Sequence, residues 1–221
     1  MFQTITDTAL LVTFVGIAAH WALYPTRLPR PAATCRLARG SVHALSLLLI
    51  EQKSSLLGAL KKLVYLVTVL CFLVLALTGF WPLLVRGQHI SGYLMMIHAT
   101  FAPVFALCLA ILAVTWAGSY SFAADDCAWV QRLLRRTTRL RVSAEEKPWR
   151  CSRLLQKVTF WLILFLALPL ILSVIVSMFH LLGTGWQHTT LAIHRWTGLA
   201  FVIVAILFTY FAIRVRMTDE A

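Results

Sequence analysis

The sequence predicts an all-α integral membrane protein with five transmembrane helices, and both its composition and the arrangement of its apolar residues point to this class. Of its 221 residues, 60% are hydrophobic and only 13% are charged, whereas a soluble domain carries roughly 25% charged residues. The mean hydropathy is +0.82. Polar and basic segments separate five apolar stretches, which are residues 9–24, 63–85, 92–116, 158–179 and 190–213.

The lengths of these stretches suit membrane spans. The last four each exceed the roughly 20 residues that cross the hydrocarbon core, and Trp21 and Tyr24 extend the shorter first one as interfacial anchors. No basic residue precedes the first stretch, so we expect a retained helix and not a cleaved signal peptide. The predicted organisation is an N-terminal transmembrane helix (1–25), a basic amphipathic cytoplasmic segment (26–62), a four-helix bundle (63–213) with a cytoplasmic loop (117–157), and a cytoplasmic tail (214–221).

The distribution of charge predicts the orientation. The net charge is +12, which in a soluble chain would suggest nucleic acid as a partner, but here the basic residues lie between apolar stretches. They concentrate in 26–62, 117–157 and the tail, whereas the opposite side has only Arg86, with Arg195 just inside the fifth helix. The positive-inside rule then places the N-terminus outside and the C-terminus in the cytoplasm. We expect a multi-pass protein of the inner (cytoplasmic) membrane that contacts lipid and binds no nucleic acid.

An internal repeat relates the second and third stretches to the fourth and fifth. The motif KKLVYLV aligns with QKVTFWL at an offset of 95, and Ile97-His98 recurs as Ile193-His194 at an offset of 96. Each unit crosses the membrane and returns, so the two helix pairs are parallel repeats, which are typically related by an axis along the membrane normal. This relation predicts His98 and His194 at the same depth on helices that face one another.

The two histidines are the candidate ligands of a haem iron. Ionisable residues inside spans are costly and are functional suspects by default, and two neutral imidazoles on facing helices of a bundle are the axial ligands that haem requires. Gly198, one turn after His194, leaves room for a flat macrocycle, and Arg195 suits a haem propionate. The competing interpretation is that each histidine only forms a hydrogen bond with another helix.

The remaining histidines carry weaker predictions. His89 and His188 are expected in the outer loops, either solvated or in contact with a quinone head group or a propionate, and His180 is similar. His20 and His43 lie toward the cytoplasmic side, where together they could bind a second haem.

Other chemistries find little support in the sequence. The five cysteines form no CxxC pair, which excludes the CxxCH attachment of c-type haem and a ferredoxin-like ligand set. All acidic residues lie outside the predicted spans, so the bundle has no carboxylate pair and no nucleophile–base set. We therefore expect no catalytic site of its own, and a proton-coupled carrier is disfavoured because it usually needs an intramembrane carboxylate.

The bundle resembles a known family over roughly residues 60–213. The motifs VYLVTVLCFLVLALTG, GYLMMIHATFAPVFA, QKVTFWLILF and LAIHRWTGLAFVIVAIL occur in that order, and they resemble the membrane cytochrome b subunit of formate dehydrogenases and nickel–iron hydrogenases. The resemblance implies a four-helix bundle whose two b haems pass electrons between a partner subunit and the quinone pool. It also implies that His98 and His194 match the ligands of the haem nearer the outer face.

The chain departs from this family at the inner haem. Tyr65 and Phe208 stand where the resemblance implies two histidines, so it implies one haem b, unless His20 or His43 supplies a ligand for a second. The loss of that haem also puts the family's inner-side quinone site in doubt. The extra N-terminal helix is a further departure.

The expected function is that of a b-type cytochrome membrane subunit of a respiratory oxidoreductase. It would transfer electrons between the quinone pool and a redox partner, such as a c-type cytochrome or an iron–sulfur subunit, within a hetero-oligomeric complex. The alternative is a haem-free membrane anchor or assembly subunit. A small transporter is a weaker alternative, because the helices lack the broken halves that such proteins use.

Overall fold

The structure of the chain is a computed structural model that describes residues 1–23, 56–123, 126, 148–178 and 183–219. All regular secondary structure in these ranges is helical. The helices are α1 (Phe2–Leu23), α2 (Leu56–Arg86), α3 (Gly92–Trp116), α4 (Pro148–Met178) and α5 (Thr184–Asp219). Each contains a segment long and apolar enough to cross a membrane, which confirms the predicted all-α class with five spans.

Four of the five helices begin before the apolar stretches that predicted them, and α3 coincides with its stretch. α4 begins at Pro148, inside the segment 117–157 that was predicted to be a loop. α1 begins at Phe2, α2 at Leu56 and α5 at Thr184, each about two turns earlier than the hydropathy pattern indicates. Helix formation satisfies the backbone polar groups within the segment itself, so a helix continues past the apolar residues into the interface. In α1 the Thr6 hydroxyl also donates to the carbonyl of Phe2 at 2.9 Å, which accommodates a polar side chain in the added turns.

Two antiparallel helix hairpins form the bundle. α2 packs along α3, and α4 packs along α5, and these are the most extensive helix contacts of the described chain. The short connection between α2 and α3 is bounded by Gly87 and Gly92, with φ of 64° and 59°. Glycine adopts this left-handed conformation without steric cost, which permits the tight reversal. The hairpins agree with the predicted pair of helix repeats.

The two hairpins meet in a common core to which all four bundle helices contribute. The buried residues of this core are Cys71, Phe105, Ile163, Ala167, Phe201 and Val204. The rings of Phe105 and Phe201 meet edge to face with centroids 5.9 Å apart, and each lies seven residues after one of the two candidate histidine ligands. Because lipid tails are as apolar as the side chains, it is close packing that holds such helices together.

α1 lies beside the bundle and contacts it mainly near its ends. The Phe2 ring lies 4.9 Å from that of Trp196, and Gln3 Nε2 donates to the carbonyl of Leu84 at 3.4 Å. Near the other end His20 Nδ1 lies 2.6 Å from the Tyr210 hydroxyl. α1 therefore runs parallel to α5, and its first residue lies at the end of the bundle that carries the α2–α3 connection, which we name the His98 end. That this end faces outward stays a prediction.

The opposite end of the bundle, which we name the Tyr120 end, is tied together by contacts from the segment that follows α3. The indole Nε1 of Trp161 donates to the carbonyl of Tyr120 at 3.0 Å. Lys157 Nζ donates to Asp126 Oδ2 at 2.6 Å, and the backbone N–H of Ala123 donates to the same oxygen at 2.9 Å. The hydrogen bond from Lys157, helped by that N–H, holds the pKa of Asp126 below its ordinary value of 3.8.

We expect Asp126→Asn to weaken this end slightly and in a pH-dependent way. A carboxylate whose pKa is lowered on folding stabilises the fold above its unfolded pKa and loses that contribution as the pH falls through the folded value. The pair is partly exposed, so the loss at pH 7 should be about 0–1 kcal/mol. Thermal unfolding in detergent should show a lower unfolding temperature for Asp126→Asn than for the wild type at pH 7, and this difference should disappear below pH 4. Asp7→Asn is the matched control. A difference in unfolding temperature that does not depend on pH would contradict this prediction.

Candidate functional site

His98 and His194 face one another across the boundary between the two hairpins. His98 lies in α3 six residues after its start, and His194 lies in α5 ten residues after its start, so both are about 10–15 Å from the helix ends by the helical rise. Their ring centroids are 6.4 Å apart and the ring planes are inclined at 80°. Both rings are half-buried. The structure thus brings together the two residues that the repeat predicts to meet.

The imidazole of His98 is held by α2. Its Nδ1 lies 2.9 Å from the Thr78 hydroxyl oxygen. The next residue is Gly79, where an added Cβ would lie 3.4 Å from His98 Cε1. A methyl group would therefore just touch the ring. The absence of a side chain at Gly79 lets the imidazole lie against the backbone of α2.

The imidazole of His194 is held in an equivalent way by α4. Its Nδ1 lies 3.1 Å from the carbonyl oxygen of Leu170 and 3.4 Å from the hydroxyl oxygen of Ser173. Ser173 follows Thr78 by 95 residues, which is the offset of the internal repeat. The repeat therefore includes the hydroxyl that contacts each histidine as well as the histidines themselves.

The hydroxyl protons determine which nitrogen of each ring carries hydrogen. A hydroxyl has one proton to donate; Thr78 donates it to the carbonyl of Val74 at 2.7 Å, and Ser173 donates it to the carbonyl of Leu170 at 2.9 Å. The Leu170 carbonyl can only accept, so Nδ1 of His194 is the protonated nitrogen. With the Thr78 proton on the Val74 carbonyl, we assign Nδ1 of His98 as the donor to the Thr78 oxygen. In a neutral imidazole the lone pair then lies on Nε2.

Nε2 of both rings remains available for a ligand. Within the described ranges neither Nε2 forms a hydrogen bond to the protein. Histidines that bind metals usually donate their other ring N–H to a carbonyl, a carboxylate or a water, which fixes the tautomer and the ring orientation. His194 shows this arrangement toward a backbone carbonyl, and His98 shows it toward a hydroxyl.

The spacing and the composition of the site fit a haem iron better than a bare metal ion. Metal–imidazole bonds are about 2 Å long, so two imidazoles on opposite sides of one metal have centroids roughly 6 Å apart. A protein site for a bare ion needs three or four ligands, and the described part of the chain has no group of three or more His, Cys, Asp or Glu residues placed to hold one. Two axial imidazoles are a sufficient protein contribution for haem.

The residues predicted to accompany the ligands lie at the His98 end with less defined roles. Arg195 follows His194 and its side chain is exposed. An added Cβ at Gly198 would make an ordinary contact of 3.6 Å with Leu170 Cδ1, so packing within the chain does not require a glycine there. Their roles as a propionate partner and as space for a macrocycle stay predictions.

The other histidines are distributed over both ends. His89 is exposed in the α2–α3 connection, as predicted, but the placement of His188 in a loop was wrong: it lies exposed in the second turn of α5. The reason is that α5 starts at Thr184, before its apolar stretch. His20 contacts Tyr210 and Arg214 at the Tyr120 end. His43 and His180 lie outside the described residues.

An aromatic cluster fills the Tyr120 end of the bundle. Its members, on the four bundle helices and the segment after α3, are Tyr65, Trp116, Tyr120, Phe160 and Phe208. The ring of Tyr120 stacks on Phe160 with centroids 4.4 Å apart and lies 5.8 Å from Phe208. Burial raises the pKa of the Tyr120 phenol, which keeps it neutral. The two positions where the family resemblance implies histidines are thus part of a packed aromatic cluster.

Sequence reasoning found the histidines but missed the groups that hold them. Thr78, Gly79, Leu170 and Ser173 carry no signal as single residues, because threonine, serine and glycine are common in membrane helices. Extending the repeat at its offset of 95 would have paired Thr78 with Ser173.

Comparison of the chain with protein-family models, with curated proteins and with solved structures finds no match.

We expect nitrogen-15 NMR of the haem-free protein, labelled at histidine, to show His98 and His194 protonated at Nδ1 and not at Nε2. Thr78→Val removes the hydroxyl acceptor of His98 and should weaken that preference at His98 alone, since the Leu75 carbonyl also interacts with this ring. His188, which is exposed, serves as an internal control for an unconstrained ring. A proton on Nε2 of either His98 or His194 in the wild-type protein would refute the assigned tautomers.

Proposed function

We propose that the chain is a b-type cytochrome subunit of a membrane oxidoreductase, with one haem b ligated by His98 and His194. The observation that carries this proposal is the facing pair of imidazoles, 6.4 Å apart between centroids, each with Nδ1 bound to the preceding helix of its own hairpin. When bound, haem supplies reversible one-electron chemistry at its iron. The chain itself contributes ligands, orientation and surroundings.

The residues around the pair divide these tasks. Thr78 orients His98, and Leu170 with Ser173 orients His194, so both rings are positioned before a ligand arrives. Two turns further along, Phe105 and Phe201 close the bundle interior with packed rings and exclude water from that side. Arg195 provides a positive charge beside His194 that suits a carboxylate.

A single haem is the stoichiometry that the packing favours. The aromatic cluster occupies the Tyr120 end, and Phe160 within it is only 5% exposed. Phenylalanine offers no lone pair to iron, and a packed cluster of five rings leaves little room for a second macrocycle. Electron exchange with the quinone pool and with the redox partner subunit would then take place near the His98 end.

The proposed partners follow from that placement. A quinone in the bilayer and a redox subunit, such as a c-type cytochrome or an iron–sulfur protein, would both approach the His98 end in a hetero-oligomeric complex of the inner membrane. His89 and His188 are exposed at this end and are the candidate contacts for a quinone head group or a haem propionate. A histidine suits either ligand because it can donate a hydrogen bond to a carbonyl or a carboxylate.

A haem-free anchor or assembly subunit is the second candidate. The observation in its favour is that each imidazole already forms a hydrogen bond within its own hairpin, which is what a purely structural histidine would do. Such a role accounts for each histidine singly. A purely structural role does not require the two rings to face one another. It also does not require that the lone pair of each ring lie on Nε2, where it is available to a ligand.

The first test is the ratio of haem to polypeptide in the purified protein, together with the reduced-minus-oxidised spectrum. We expect one low-spin b haem per chain, lost or converted to high spin in both His98→Ala and His194→Ala because each change removes an axial ligand. Thr189→Ala removes an exposed polar side chain of the same helix, one to which no ligand contact is assigned, and should keep the haem. Protein extracted intact with no haem would leave the anchor function in place of the cytochrome.

A second test addresses the hydroxyl that holds His98. Accepting a hydrogen bond from Nδ1–H raises the basicity of a ligating imidazole, so Thr78→Val should favour the reduced iron and raise the reduction potential. For a hydrogen bond of about 1 kcal/mol the rise is a few tens of millivolts. Thr78→Ser should restore the wild-type potential. Ser173→Ala should change it less, because the Ser173 hydroxyl lies 3.4 Å from its imidazole, against 2.9 Å for Thr78, and the Leu170 carbonyl accepts at 3.1 Å. An unchanged potential in Thr78→Val with full haem content would contradict this role.

A further inference from the structure

α1 carries an acidic residue inside its membrane span. The sequence predicts that every acidic residue lies outside the spans, but α1 begins at Phe2, so Asp7 falls within this helix and within its candidate span. α1 runs parallel to α5, and its Phe2 ring contacts that of Trp196. Five residues further along each helix, Asp7 is level with Phe201, near the middle of the apolar stretch 190–213. The carboxyl group therefore lies at a depth where the bilayer is apolar.

The Asp7 side chain has no partner within the described chain. Asp7 follows Thr6, which is the one buried residue of α1, and is itself exposed. It forms no hydrogen bond or ion pair with any described residue. Ionisable residues inside spans almost always face the bundle interior or a water-filled cavity, and they pair with another group. Asp7 does neither, so the group that pairs with it is to be sought on another molecule.

Asp7 belongs to a face of α1 that is turned away from the bundle. With 3.6 residues per turn, the side chains at positions 4, 7, 8, 11 and 15 share one side of the helix, and Thr6 lies on the opposite side. We name this side the Asp7 face. Its members, which are all exposed, are Thr4, Asp7, Thr8, Leu11 and Val15. Spacings of three and four residues are those through which two helices pack along one another.

We propose that the Asp7 face binds a transmembrane helix of a partner subunit, and that this helix carries a lysine or an arginine at the depth of Asp7. A charge-assisted hydrogen bond to an opposite charge offsets the cost of a carboxylate in the bilayer. Thr8 donates its proton to the carbonyl of Thr4 at 2.7 Å, so its oxygen can accept a hydrogen bond from the partner helix, as hydroxyls do between membrane helices. The interaction depends on α1 and not on the histidine pair, so it holds for either candidate function.

Charge argues against a second copy of this chain as the occupant. Two copies that pack through the same face would bring their Asp7 carboxylates together, and like charges at close range repel. Arg195 is an exposed cation in this half of the bundle, but it lies on α5 and is proposed to contact a haem propionate. A partner helix with its own cation pairs with Asp7 without either conflict.

The experiment places the photo-crosslinking amino acid p-benzoylphenylalanine at Leu11, one turn beyond Asp7, in the full-length chain in its native membranes. Leu107 in α3 is 64% exposed, against 65% for Leu11, and is the control position. We expect Leu11 to yield one crosslinked protein whose attached peptide is an apolar span with a lysine or an arginine, and Leu107 to yield none of it. A crosslink to a second copy, to a span without a basic residue, or to no protein would overturn the proposal.

Substitutions at Asp7 test the charge itself. Asp7→Asn should lower the yield of that crosslink at least about tenfold, because it leaves the partner's cation buried without a counter-charge, whereas Asp7→Glu should keep it. Asp126→Asn removes a carboxylate at the Tyr120 end and should also keep it. An unchanged yield in Asp7→Asn would refute the charge pair.

Reversal of both charges provides a test that does not depend on how well one variant folds. Asp7→Lys should lose the crosslink, and a substitution of the partner's basic residue to aspartate in the same cells should restore it. Failure of the double substitution to restore the crosslink would contradict a direct pair. Haem content should be unchanged in Asp7→Asn, because α1 supplies no ligand to the histidine pair, so this outcome is separate from that of the cytochrome proposal.

Discussion

The hydrogen bond from each imidazole Nδ1 to the preceding helix of its hairpin is the interaction on which the candidate site depends. A polar ring within a membrane span needs an internal partner, because lipid offers none. Thr78 and the Leu170 carbonyl meet that need at 2.9 and 3.1 Å. In doing so they determine both the direction of each ring and the position of its lone pair, so the same hydrogen bonds that membrane folding requires leave both Nε2 atoms able to bind the proposed haem.

The internal repeat has different side chains at the two ends of the bundle. The internal repeat places equivalent residues around the two histidines at the His98 end, where Thr78 corresponds to Ser173. At the Tyr120 end the same repeat pairs Tyr65 with Phe160, and both belong to the aromatic cluster, Tyr65 through its contact with Trp116 and Phe160 through its stacking on Tyr120. The His98 end thus carries two facing imidazoles and the Tyr120 end carries packed aromatic rings, which is the reason for proposing a single haem.

The sequence was sufficient for the fold class and for the histidine pair, and insufficient for what surrounds them. Long apolar stretches identify spans because the bilayer requires them, and the match of His98 with His194 predicted that the rings meet. Helix ends escaped prediction, as at His188, because hydropathy reports contact with hydrocarbon and not the extent of the helix. The roles of Thr78 and Gly79 depend on how α2 faces α3, and the aromatic cluster depends on the path of the chain after α3. The local pattern of apolar and polar residues predicts neither of these arrangements. The outward orientation, the haem and the partners remain predictions.

The most direct measurement is chemical rescue of the ligands, followed by electron paramagnetic resonance of the oxidised protein. In His98→Gly and in His194→Gly the missing side chain leaves space that free imidazole can enter. We predict a low-spin ferric spectrum in the wild-type protein, a high-spin spectrum or loss of haem in each glycine variant, and return of the low-spin spectrum when imidazole is added. A low-spin spectrum that persists in either variant without imidazole would show that the ligands lie elsewhere and would contradict the account.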